Sequence, residues 1–140
     1  MRESTLKRLR LVREGYENWR ISSKAMSIAD LAQHLIDADN WLFEKLRTKN
    51  LKPMVGRANV VEITNRSQYE GLLGELEQIG DRRGSMLDKI TDEELSEMIY
   101  DDRFGGEVSA WWIVVRGCLD HEIHHRGQIS VYLRVIDQER

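Results

Sequence analysis

The spacing of apolar residues constrains this chain more than any other feature. Leu6, Leu9, Val12, Tyr16 and Trp19 recur at steps of three and four, which turns one side of a helix toward a core. The spacing predicts a first helix over residues 3–20. Leu31, His34, Ala38, Trp41, Leu42 and Lys45 form a second stripe, on a helix predicted over 28–48. Ser27, followed three residues later by Asp30, reads as its capping box. Tyr69, Leu72, Leu73, Leu76, Ile79 and Leu87 place a third helix over 66–89, and Ser109 is the N-cap of a last one over 110–136. Four glycines in the third helix, at 71, 74, 80 and 84, point to a kink or to close packing.

The only proline, Pro53, and Gly56 fall between the second and third helices, so 48–65 is read as one long irregular connection across the end of a bundle. The stretch TDEELSEMIYDDRFGGE predicts a helical turn after Thr91 and then extended chain, ended by Gly105-Gly106. These elements predict an all-α protein, a four-helix bundle with a long crossover, in one domain over 1–140.

Composition narrows the function. Lysine and arginine total 21 against 24 acidic residues, so the electrostatic footprint of a nucleic-acid binder is missing. No window approaches the apolar length of a membrane span. One cysteine, Cys118, cannot form an internal disulfide, and the first residues lack the apolar run of a signal peptide, so a cytoplasmic protein is expected.

The stretch DHEIHHRGQI carries His121-Glu122-Ile123-His124-His125, which fits the zinc-protease letters HExxH. On a helix, His121 and His125 lie one turn apart on one face. Their stripe runs through Val114, Cys118, Gln128, Ile129 and Tyr132, so the pair points inward, where unpartnered imidazoles are costly and a divalent ion would serve both. Such pairs also arise on helices that bind no metal. His34, a polar residue on the apolar stripe of the second helix, supplies the reason to go further. Three histidines from two facing helices would leave coordination positions open. A protease is disfavoured, because only fifteen residues follow His125 and the carboxylates there, Asp137 and Glu139, sit at the far end of the same helix.

The last helix, LDHEIHHRGQISVYLR, resembles the HxxHHRGQ signature of the DinB-like (DinB/YfiT) superfamily, and SIADLAQHLIDADNWLFEKL resembles its helix-two signature. The resemblance covers essentially the whole chain. It implies an up-down-down-up bundle, a homodimer, and a divalent ion, zinc or nickel first, held by His34, His121 and His125. It also implies a metal-dependent hydrolase, or a transferase using a low-molecular-weight thiol as cosubstrate, acting on a small molecule. The alternative is a stress-related binding protein whose metal is structural or sensory. A bundle without metal is a third reading.

Other residues carry weaker signals. Glu122 is a candidate general base for a metal-bound water, against a reading as a solvated or salt-bridging carboxylate. Gln128, one turn beyond His125, can hold a ligand histidine or a substrate. Cys118 reads as a small buried hydrophobe more than as a thiol near the ion. Arg83 beside Gly80 reads as an arginine with its head in water, or as a cationic pocket for an anionic substrate. The four tryptophans are read as core or interface aromatics.

Overall fold

In the computed structural model, which describes residues 1–138, the second and third helices run over the predicted ranges. α2 spans Ile28–Thr48 and α3 spans Arg66–Lys89. At α2, Ser27 Oγ accepts the backbone N–H of Asp30, and the Asp30 carboxylate accepts the backbone N–H of Ser27, the two halves of a capping box. Asn65 caps α3 through Gln68 N. Each such cap stabilises its helix by about 1 kcal/mol.

The first helix is shorter than predicted. α1 covers only Arg2–Arg10, because the chain beyond finds better local partners than a continued helix. Gly15 takes φ +93°, the backbone N–H of Gly15 donates to the Glu17 carboxylate, and Asn18 pairs both ways with the backbone of Ile63. Val12 nonetheless stays buried and Tyr16 and Trp19 pack on the core. The apolar spacing marked a buried face correctly, and the local turns decided the backbone.

After α3 comes a capped helical turn, α4 (Asp92–Ser96). The extended stretch that follows is a hairpin, a sheet within a fold expected to be all-α. β1 (Met98–Asp101) pairs antiparallel with β2 (Gly106–Ser109), Met98 opposite Ser109 and Asp101 opposite Gly106. Asp102–Phe104 makes a single 3₁₀ turn between them, closed by Gly105 at φ +76°. The last helical stretch is continuous but not uniform: α5 (Ala110–Val114), a wide π-type turn over Val115–Leu119, then α6 (Asp120–Gln138). Ser109 caps it as predicted, through Trp112 N. Glu139 lies outside the described residues. No helix among these residues is long and apolar enough to cross a membrane.

Two apolar clusters fill the interior. Leu6, Leu9, Leu31, Leu35, Tyr69 and Ile129 belong to one, and Trp41, Leu42, Ile99, Ile113 and Cys118 to the other. Between the two levels, α2 and α6 both switch to polar side chains: His34 and Asp39 on α2, His121, Glu122 and His125 on α6. That polar layer holds the histidine cluster able to take an ion.

Candidate metal centre

His34 reaches the layer from α2, and His121 and His125 from the first two turns of α6. The Nε2 atom of His121 lies 2.9 Å from Nε2 of His34 and 2.9 Å from Nε2 of His125. The rings stand edge to face, with centroids 4.4–4.7 Å apart. The three nitrogens form the group able to hold an ion among the described residues.

Proton counting shows why an ion suits them. The Oε1 atom of Gln128 can only accept, so His125 donates to it from Nδ1, at 2.7 Å. That tautomer leaves Nε2 of His125 with a bare lone pair. The single Nε2 position of His121 carries either one proton or one lone pair, and cannot make full hydrogen bonds to two neighbouring Nε2 atoms at once. One cation between the rings satisfies all three, and two ligand nitrogens about 2.1 Å from the same ion naturally lie about 3 Å apart.

The rings are also held neutral, as ligation requires. Burial, reinforced by the field of His125, brings the pKa of His34 to about 4. Burial and the neighbouring histidines bring His121 to about 3. Burial lowers His125 as well, against the opposing pull of its bond to Gln128. The Nδ1 atom of His121 is buried and has no partner among the described residues. His124, exposed on the preceding helix position, meets the His125 ring edge to face with centroids 5.0 Å apart.

The crossover closes over this centre. Its backbone N–H groups at Asn59, Val60 and Val61 donate to the carboxylate of Asp30, so the residue that caps α2 also anchors the loop. Burial alone would raise the pKa of Asp30, but the backbone N–H of Ser27 together with these three loop bonds holds it below its ordinary value. Beside His34 the loop borders an open cavity of about 490 Å³, with Pro53, Met54, Val55 and Val60 as apolar wall and Asp37 and Arg57 as its charged members.

Glu122 is engaged elsewhere. Its two carboxylate oxygens accept from Arg2 Nη2 at 2.7 Å and Thr5 Oγ1 at 2.7 Å, and Arg83 Nη1 lies 2.8 Å away. Asp39, equally buried, pairs with Arg2 at 2.8 Å and with Arg83 at 2.9 Å. Two cations and two carboxylates thus neutralise one another in the interior. Burial would raise the pKa of Glu122, but the bond to Arg2 and the charges of Arg2 and Arg83 outweigh it and hold the acid at about 2. So weak and so occupied a carboxylate makes a poor general base.

Two further expectations are corrected by this network. Arg83 is only 5% exposed and spends its charge on Asp39 and Glu122, so it neither reaches water nor lines an anionic pocket. The space at Gly80 is taken by Arg2, whose Cγ would lie 2.8 Å from a side-chain carbon placed there. Close packing therefore explains that one glycine, whereas Gly71, Gly74 and Gly84 face open space. Cys118 turns toward Asp39, 3.6 Å from its Oδ1, and burial pushes its thiol up to about 12.

Sequence reasoning missed Arg2, Thr5 and Asp39. Two of them left a trace: Arg2 stands four residues before Leu6 on the apolar stripe of α1, and Asp39 falls between Leu35 and Leu42 on α2.

Comparison with known proteins agrees with this architecture. The sequence model of the DinB family matches residues 2–136. Among solved structures, a DinB-like protein of Bacillus subtilis superimposes with a TM-score of 0.70 at 20% identity, over 97% of this chain and 85% of that one. A DinB-like protein of Bacillus cereus does so with a TM-score of 0.72 at 18% identity and the same coverage. No curated protein matches.

Proposed function

Because the chain belongs to the DinB family, we propose that His34, His121 and His125 hold one divalent ion, zinc or nickel, and that the site is catalytic. The observation that carries this reading is the open cavity beside His34. Structural metal sites are closed by four protein ligands, whereas three ligands with an accessible flank leave room for a reactant. A purely structural or sensory ion would need no such opening.

Bound there, a divalent ion supplies Lewis acidity that brings a water or a thiol into its nucleophilic form near neutral pH. The rest falls to the chain. Gln128 fixes the tautomer and orientation of His125, the apolar crossover residues shield one flank from water, and the Arg2–Glu122–Arg83–Asp39 cluster holds α1, α2, α3 and α6 in register beneath the rings. Hydrolysis and transfer with a low-molecular-weight thiol both fit this arrangement. The homodimer and the up-down-down-up helix order belong to the same proposal. Ile123 and Val131, exposed two turns apart on α6, are apolar positions suited to a partner.

Elemental analysis of untagged protein supplied in turn with zinc, nickel and manganese tests the metal centre. About one equivalent of ion per chain is expected, with His34→Ala and His121→Ala losing it to a similar extent. Uptake well below one equivalent with every ion sinks the proposal, and unchanged affinity in His34→Ala removes that residue from the site. Assays of the loaded protein with and without bacillithiol or mycothiol then separate transfer from hydrolysis.

A further inference from the structure

We infer that the cavity beside His34 takes a small molecule bearing a carboxylate or phosphate group, and that Arg57 pairs with that oxyanion. The inference rests on the reading of the three histidines as a metal centre and adds the class of ligand.

Charge is the first argument. Within the cavity wall the charged residues are Arg57 and Asp37. Among the described residues Arg57 makes no hydrogen bond or ion pair, while Asp37 accepts from Gln33 on its own helix. The carboxylates in the layer beneath are already matched: Glu122 and Asp39 by Arg2 and Arg83. With a divalent ion in place, its two positive charges and that of Arg57 face one negative charge at Asp37. A loaded cavity is therefore electropositive, and a ligand with an anionic group gains from both the ion and the guanidinium, which suits a planar or tetrahedral oxyanion with paired N–H donors.

Space is the second argument. A side-chain carbon at Gly56 would overlap Met26 Cε and would stand 3.1 Å from Cε1 and 3.4 Å from Nε2 of His34. That Nε2 is the atom 2.9 Å from Nε2 of His121. Gly56 thus lets the crossover backbone pack directly against Met26 and the ligand edge of His34, which keeps Arg57, the following residue, in the cavity wall shared with that histidine.

The test uses the whole protein loaded with cobalt(II) as a visible reporter, with metal content measured for each variant. Succinate, inorganic phosphate and neutral succinamide are titrated by calorimetry and by the cobalt absorption band. The wild type should bind an oxyanion and not succinamide, and the tighter of succinate and phosphate identifies the group. Arg57→Ala should keep its cobalt and lose roughly tenfold in oxyanion affinity, as expected for a charged hydrogen bond, and Arg57→Lys should recover part of the loss. Oxyanion binding by Arg57→Ala equal to that of the wild type, or no binding by the loaded wild type, overturns the inference and leaves the metal centre standing. A chain that takes up no ion overturns both.

Discussion

Replacing Glu122 by glutamine distinguishes a buried clamp from a catalytic base. The carboxylate accepts from Arg2 Nε and Nη2 and from Thr5, and lies 2.8 Å from Arg83 Nη1, with a side-chain exposure of 1%. Glutamine keeps the shape but removes the negative charge, so two buried guanidiniums remain with Asp39 alone. Stripping one partner from a buried ion network costs about 3–5 kcal/mol. A chain of 140 residues unfolds with an entropy of about 0.3 kcal/mol per kelvin, so the midpoint should fall by roughly 10–17 °C. The assay is thermal unfolding of chelator-treated protein at neutral pH, followed by circular dichroism, so that no ion contributes to the difference. Combining Glu122→Gln with Arg2→Met restores the charge balance and should recover part of the loss, a coupling that a double-mutant cycle reads directly. A midpoint shift below about 3 °C, with activity nonetheless abolished, would refute the clamp and return Glu122 to the role of base.

Three further outcomes are expected. His34→Ala and His121→Ala should each abolish the rise in unfolding temperature that added zinc or nickel gives the wild type, since an ion stabilises only the state that binds it. Gln128→Leu should weaken metal binding by roughly tenfold or more while leaving the stability of the metal-free protein nearly unchanged, as measured by competition with a chromogenic chelator. For the metal-free protein, stability should be level above pH 6.5, the ordinary histidine value, and should decline from there toward about pH 4 and then 3, the values of His34 and His121. Across that window the unfolded chain takes up protons that the buried rings refuse. Denaturant midpoints measured from pH 8 to 4 check the slope, which should be shallower in His34→Asn.

The legible and illegible parts of this fold divide along physical lines. α2 and α3 could be read because burial enforces a 3.6-residue period and because Ser27, Asp30 and Asn65 cap by chemistry local to the sequence. His34, His121 and His125 stood out as polar residues on apolar stripes, and the structure gathers their Nε2 atoms. The end of α1 was hidden, since Val12, Tyr16 and Trp19 keep helical spacing and core contacts while Gly15 and Glu17 bend the backbone away. The hairpin showed only as Gly105-Gly106 and an irregular stretch. Least visible was the ionic layer: a charged residue whose partner lies dozens of positions away looks, in one dimension, like a charge facing water. The match of Glu122 to a protease motif hid that partner further.

The contact between Arg2 and Glu122 spans 120 positions, and this has a bearing on how the chain is made. During synthesis from the N-terminus, Arg2, Thr5 and Asp39 emerge long before the carboxylate of α6 that completes their set. Until then the early helices carry two buried-type cations, Arg2 and Arg83, balanced by one acid, Asp39, and a polar layer with no opposite wall. The same late helix brings two of the three histidines. Closure of the ionic layer and assembly of the three-histidine cluster therefore fall in one late step, once α6 has emerged.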